Sequence, residues 1–578
     1  MSFDLIRIVR IKFFALFLLV SSTLFAQDEV HWSKDGNSYF LQKDGGIVQI
    51  SLVDAKETVL LPSGKLTPQG SSRPIGIRKF AFSDDGQKLL IYTNSKKVWR
   101  YDTRGDYWVY DFQDGSLKQL GLGLPPSSLM FAKISPDGRQ AAYVSRYNLY
   151  VEDLSGHHVK QLTQGGNRKE INGTFDWAYE EEFFCRDGFR WSPDSKQIAY
   201  WQIEAQNTTD YLMIDNTDSI YPVAKPVEYP IAGVPPSPFK IGVVNILTAG
   251  TKWMDIPTDP VLQSYVPRME WAANSSELII QHLNRKQNES WIMLCNAASG
   301  KSNTIYTEKD SAWIDIQGLW DFDYWNGGWD WLKNGKEFLW ASEKDGWRHL
   351  YRVSRDGKTE IKVTVGNYDV MNLSRIDEKN NYVYFIASPD NATQAYLYRA
   401  RLDGKGKAEL ISPTNQVGTH NYDVSPSAKY AKHSFSNYYT PLATEWISLP
   451  DHSALNGNHN VYNAVSKADK SKSNIEFFKV KTEEDIEMDA WMVKPQPFDP
   501  AKKYPVLFFV YTEPWGQNVK DEFGTANNFL YQGNLAKDGY IYISIDNRGT
   551  PVPKGRAWRK SVYRKIGLVN IRDQAMAA

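Results

Sequence analysis

Three consecutive carboxylates, Glu180, Glu181 and Glu182, sit in a stretch crowded with rings: Phe175, Trp177 and Tyr179 before them, Phe183 and Phe184 after. A run of like charge is ordinarily a solvated helix face, and that reading stays open. The flanking rings argue for a segment anchored in a core or cleft wall, where acids cannot relax into bulk water. Carboxylates held close raise one another's pKa unless a cation joins them. A substrate ammonium group is such a cation. A second candidate is Arg100 in Val98-Trp99-Arg100-Tyr101, ahead of the aromatic run Asp106 to Asp111. Taken alone, an arginine among rings is a cation–π or surface residue. Metal chemistry is not indicated. The two cysteines, Cys185 and Cys295, lie in no CxxC or Cys/His cluster, and either one bridge or two buried thiols suits them. His157-His158 reads as an isolated pair in a turn. No zinc or haem spacing is present, and no cofactor is expected.

The elements that must position these residues come from a repeat. An apolar residue, a small or polar pair and Asp/Asn-Gly or Asp/Asn-Ser precede a β-rich run. The copies begin at Trp32, Phe82, Ile134 and Trp191, continue degraded at Trp271 and Trp331, and weaken at Ile376 and Val424. Asp-Gly between apolar runs marks a hairpin turn. Strands are predicted after it at Lys88–Tyr92, Gln140–Val144, Gln197–Trp201 and Glu337–Trp340. A repeat of roughly 50 residues built of short strands fits a propeller blade, and eight copies give eight blades. The repeat alone leaves open a propeller that only binds a partner. One interval, between Asp194 and Asn274, is longer. It carries Tyr221-Pro222, Tyr229-Pro230 and Ala232-Gly233, then Pro235, Pro236 and Pro238. Proline at this density predicts a surface loop without regular sheet or helix.

Residues 441–474 lose the repeat and read as a crossover. Beyond them, strands are predicted at Ile475–Phe478, Met488–Val493, Tyr504–Tyr511 and Tyr540–Ile545, with a helix near Asn527–Leu535. Apolar strands alternating with helices indicate an α/β sheet. No Gly-x-Ser-x-Gly occurs, and no histidine follows His459.

The chain has 578 residues, enough for two or more domains, and equal totals of 67 basic and 67 acidic residues. That balance gives no sign of a nucleic-acid partner. Arg7, Arg10 and Lys12 precede an apolar stretch from Phe13 to Phe25, and Ala26 suits a cleavage point. The stretch is short for a membrane span and predicts a signal peptide over 1–26, hence an exported protein, periplasmic or secreted. An uncleaved membrane anchor is the alternative.

Asp176-Trp177-Ala178-Tyr179-Glu180-Glu181-Glu182 resembles the glutamate motif of the dipeptidyl peptidase IV branch of the prolyl oligopeptidase family. The resemblance extends over essentially the whole chain after residue 26. It implies a mainly β fold, with an eight-bladed β-propeller over 27–460 followed by the first part of an α/β-hydrolase domain over 461–578. It implies that Glu181 and Glu182 bind the free N-terminus of a peptide and that Arg100 holds the carbonyl end of the bound dipeptide. Pro505-Val506-Leu507-Phe508-Phe509-Val510-Tyr511 ends where that family places an oxyanion tyrosine, which assigns that role to Tyr511. Glu513 replaces the family's usual glycine in Tyr511-Thr512-Glu513-Pro514. Asp546-Asn547-Arg548-Gly549-Thr550 and Gly555-Arg556-Ala557-Trp558 match as well. The proline-rich insertion resembles an arm that joins two subunits, implying a homodimer of the full-length protein. The expected activity is a serine exopeptidase that releases N-terminal dipeptides with proline or alanine second. Its Ser, Asp and His are not in these residues, so a fragment of a longer chain, inactive alone, is expected. A non-catalytic propeller that binds peptide N-termini is the alternative.

Overall fold

The computed structural model describes residues 30–156, 158–217, 219–316, 329–528 and 530–578. The N-terminal stretch read as a signal peptide, and His157, lie outside them. The described residues up to 448 form eight consecutive antiparallel units at 31–61, 79–119, 129–161, 189–253, 264–309, 330–362, 370–410 and 419–448. The first seven have four strands each and the eighth has three. These are the blades of an eight-bladed propeller. The second and third share one sheet, because Arg104 and Gly105 pair with Met130 and Leu129. An additional strand, Glu170–Asn172, joins the fourth.

The repeated motif is the turn that opens each blade. In the four clear copies the serine hydroxyl donates to the aspartate two residues on, at 2.6 to 2.7 Å. It also accepts the backbone N–H five residues on, at 2.9 to 3.0 Å. These local bonds replace ladder bonds where the chain reverses. The turns also touch from blade to blade. Lys34 Nζ donates to the Asp84 carbonyl, Asp137 N–H to Ser195 Oγ, and Asp194 N–H to Ser275 Oγ. Lys333 N–H donates to Glu378, and the Arg375 guanidinium to the Val424 carbonyl. The first and last copies then meet. Gly36 lies so close to Ser427 that a Cβ would sit 2.8 Å from its backbone nitrogen. Asp423 accepts from Trp32 Nε1 at 2.7 Å and from the Val30 N–H at 3.3 Å. Trp446 stacks on Tyr39 with centroids 4.2 Å apart. The first and last blades thus bond directly to each other.

The long interval departs from the sequence expectation. It contains a two-stranded hairpin, Asp210–Asp215 with Val223–Glu228, and Pro226 lies within the second strand opposite Leu212. Proline is tolerated because a two-stranded ribbon is all edge, where a missing N–H leaves no partner unsatisfied. Arg168 and Lys169 pin its base through Asp210, at 2.8 and 2.6 Å.

The last propeller strand, Thr440–Ser448, runs into the segment read as crossover. A helix, Asn460–Lys467, follows. The C-terminal sheet has the order Ile475–Lys481, Glu487–Val493, Ile541–Ile545, Val506–Phe508, and only the last pair is parallel. The strand expected over Tyr504–Tyr511 is three residues long. Ser544 Oγ takes the Phe509 carbonyl, and the backbone then peels away from the ladder. The described residues of 527–535 form turns and no helix, with the Asp538 carboxylate drawing in the Asn534 N–H and the Tyr531 hydroxyl. This half is clamped to the propeller by buried charges. Arg559 pairs with Glu343 and, at 2.6 Å, with Asp369, while Lys560 reaches Asp310 and Glu343 at 2.8 and 2.7 Å.

Gly36 and Gly86 occupy the same turn position at φ +67° and +70°, but nothing lies within 4 Å of a Cβ at Gly86. Gly86→Ala should therefore cost about 1 kcal/mol, for backbone strain alone. Gly36→Ala should cost a further 1–3 kcal/mol or so, because it overpacks the ring closure. Urea unfolding midpoints of the two variants check this, and equal losses would deny the closure contact a role.

Candidate functional site

The three glutamates lie on a short helix, Trp177–Phe183, inserted between strands Glu170–Asn172 and Phe189–Trp191. Asp176 caps it by accepting the Tyr179 N–H at 3.1 Å, and Phe184 ends it in a left-handed conformation. Its rings hold it in place. Phe175, Tyr179 and Phe183 belong to the core shared by the fourth and fifth blades. Trp177 packs on Tyr229 at the base of the hairpin, with centroids 4.5 Å apart. The Tyr179 hydroxyl accepts the Val266 N–H. Aromatic anchoring thus fixes the acidic face, as the sequence predicts.

The three acids are not equivalent. Glu180 is buried, Glu181 intermediate and Glu182 exposed. Burial pushes the Glu180 carboxyl up to about 7, with Arg186 opposing the rise and Glu181 adding to it. Arg186 Nε stands 3.8 Å from Glu180 Oε1, beyond hydrogen-bond reach, because its guanidinium lies 3.4 Å over the Tyr101 ring. Glu182 is also held above the ordinary carboxylate range, by desolvation and then by Glu181, although its side chain reaches solvent.

Arg100 sits in the turn of the long hairpin Lys88–Val98 and Tyr101–Asp111 of the second blade, with Trp99 at φ 53°. Its guanidinium meets Glu181 at 2.5 Å, while 71% of the Arg100 side chain is exposed. Two of the sequence candidates therefore form an ion pair across some eighty residues of chain. Tyr511 follows the short strand Val506–Phe508 and is half exposed. Gly516 lies against its ring, where a Cβ would come within 2.6 Å of Cδ1. The same loop reaches the acidic helix, since Trp515 meets Phe184 edge-on at 5.8 Å. The Asp546 carboxylate shapes this loop by accepting the Asn518 and Val519 N–H groups at 3.0 and 2.9 Å. Trp515 and Asp546 were not singled out as site residues from the sequence. The aromatic contact joins separate domains, and no local pattern signals it.

Both cysteines are buried and form no disulfide. A second polar cluster, His433, Glu445 and His452, lies in the last blade. Sequence spacing does not disclose it, because cross-strand pairing, not a local motif, brings it together.

A propeller whose inserted acidic helix meets the loop of a hydrolase-type sheet defines the class: a β-propeller joined to a hydrolase domain. A family model described as the dipeptidyl peptidase IV N-terminal region matches residues 83–442, and the chain belongs to the dipeptidyl peptidase IV family. It is 26% identical over 564 residues to dipeptidyl peptidase 4 of Trichophyton rubrum, covering 95% of this chain and 70% of that protein. It is 26% identical over 565 residues to dipeptidyl peptidase 4 of Arthroderma otae, with the same coverage. The crystal structure of Porphyromonas gingivalis dipeptidyl peptidase 4 superposes with a TM-score of 0.84 at 26% identity, covering 96% of this chain and 76% of that one.

The Glu180 carboxyl makes a pH prediction. Its pKa rises from 4.5 to about 7 on folding. Between those values the folded chain keeps a proton that the unfolded chain releases, so stability falls as pH rises. Glu180→Gln should remove that slope, about 1.4 kcal/mol per pH unit for one proton. Urea unfolding from pH 5 to 7 checks it, and an unchanged slope in the variant would exclude Glu180 as its source.

Proposed function

We propose that the chain is the amine-recognising and oxyanion-bearing part of an exported serine exopeptidase that releases N-terminal dipeptides, with proline or alanine second. The observation that carries this reading is the Arg100–Glu181 ion pair on the ring-anchored acidic helix. A peptide ammonium group binds Glu181 and Glu182, which hold it by charge-assisted hydrogen bonds. Arg100, freed to donate, holds the first carbonyl of the dipeptide. The scissile bond then falls beyond the second residue, which sets the product length. Tyr511 donates to the oxyanion of the tetrahedral intermediate. No Gly-x-Ser-x-Gly occurs in the sequence, and the peptidase step is ascribed to a protein that carries the nucleophile.

Tyr211, Leu212, Met213 and Ile214 on the hairpin are each half or more exposed. We assign them to contact with a second copy, giving a homodimer of the full-length protein. Export to the periplasm or medium rests on the N-terminal sequence. No helix among the described residues is long and apolar enough to cross a membrane.

A Gly-Pro peptide with a free amine should bind the chain, and its N-acetylated form should bind far more weakly. Glu181→Ala or Glu182→Ala should cost about 1.5–3 kcal/mol of binding, the usual worth of a hydrogen bond to a charged group. Calorimetric titration measures both. Equal affinity for the free and acetylated peptides would end the amine-clamp reading.

Where the nucleophile-bearing segment is present, Tyr511→Phe should lower kcat by about 10²–10³, the usual effect of losing one oxyanion donor. Dipeptide release from a chromogenic substrate measures it. A loss below about tenfold would make Tyr511 structural.

A further inference from the structure

The last blade holds a cluster of side chains that amine recognition leaves unused. His433, on the strand Tyr430–Asn437, stands opposite Glu445 on Thr440–Ser448. His452 follows in the turn beyond that strand. One nitrogen or oxygen from each of the three lies within 4.8 Å of the other two. His433 and Glu445 are buried, whereas His452 reaches partway to solvent.

Hydrogen bonds around the cluster fix the tautomers. The Gln416 carbonyl can only accept, so His420 Nε2 donates to it, at 2.8 Å. A neutral His420 then presents a lone pair on Nδ1, which accepts from His433 Nε2–H at 2.9 Å. That leaves the lone pair of His433 on Nδ1, and 3.2 Å away stands Glu445 Oε1. The other carboxylate oxygen is engaged by the Val461 N–H at 3.1 Å. Two acceptors thus face each other in a buried place, which is unfavourable unless a proton or a cation lies between them.

We propose that His433, Glu445 and His452 bind a divalent transition-metal ion of the zinc class. Two imidazoles and one carboxylate are a ligand set that zinc accepts, with water in the fourth position. The surroundings suit ligation as well. The relay from His433 through His420 to the Gln416 carbonyl, and the Val461 N–H on Glu445, are the outer hydrogen bonds that orient metal ligands. Bonds of about 2.0–2.2 Å in a tetrahedral site hold ligand atoms about 3.4 Å apart. Ligand atoms up to 4.8 Å apart must therefore close by up to about 1.4 Å, and His452, partly exposed and in a turn, moves by giving up the 2.8 Å hydrogen bond between its Nε2 and the Tyr422 hydroxyl. The ion ties the last two strands to the turn that follows them. Through the Glu445–Val461 bond it also braces the helix Asn460–Lys467, where the chain leaves the propeller.

The test uses the full chain, stripped with a chelator and desalted. Calorimetric titration with zinc chloride should show one equivalent bound, and cobalt(II) should give the intense visible absorption of a tetrahedral site. Zinc should also raise the melting temperature. Two variants keep the fold in different ways. Glu445→Gln preserves shape, and His452→Asn suits a backbone at φ 55°, since asparagine tolerates that region. Each should weaken zinc binding more than about tenfold and abolish the cobalt spectrum. Absence of stoichiometric binding by the unmutated chain would overturn the proposal and leave a proton shared by His433 and Glu445. Binding unchanged in both variants would overturn it too, by placing the metal elsewhere.

Discussion

Ring closure is the constraint on which everything else rests. Each blade buries one face against the next, so an open array would leave two blades with an uncovered apolar face. Here the ends are matched by fit and by polarity together. Gly36 admits the Ser427 backbone where no side chain fits. Asp423, although its burial favours the protonated form, is kept occupied by the Trp32 indole and the Val30 N–H. The serine–aspartate turns carry the same logic around the rim. Each satisfies its own backbone, and many also hand a donor or acceptor to a neighbour. A short local signature repeated along the chain thereby becomes a continuous belt.

The second organising force is the burial of charge between the propeller and the hydrolase half. Arg559 and Lys560 enter a setting already occupied by Asp310, Glu343 and Asp369. Strong mutual attraction overcomes desolvation there, and Glu343 is held down to about 2 despite its burial. Such a seam fixes orientation more than it adds stability. Its effect on the site is direct, because orientation decides whether Trp515 meets Phe184 and where Tyr511 points.

Much of this was legible in the sequence because it is local. Ser-x-Asp-Gly with an alternating strand after it announces a blade, and rings on both sides of an acidic run announce an anchored segment. Even degraded copies carried enough, since Asn274 accepts the Ser276 N–H as the aspartate does elsewhere and also takes the Glu277 N–H that the motif serine accepts in the clear copies. Legibility failed where tertiary surroundings override local preference. Pro226 sits in a strand because that ribbon has no second neighbour to bond. The residues around 527–535 turn instead of coiling because Asp538 gathers their donors. The short strand Val506–Phe508 ends early because a side chain takes the next ladder acceptor. The difference between Glu180 and Glu182 was equally hidden. Their order in the run says nothing about which one the core covers. The histidine cluster of the last blade depends on strand register, which no spacing rule reads out.

The acidic helix belongs to the fourth blade, the Arg100 turn to the second, and Trp515 to the hydrolase half. A form in which these parts are undocked cannot present all three at once. Whatever bridges them binds only the docked form, and so by mass action resists their undocking by an amount that grows with its concentration. A ligand that bridged them would therefore act as a thermodynamic latch: its binding and the docking of these parts would be a single linked equilibrium, registered as resistance to heat and to proteolysis far from where it sits.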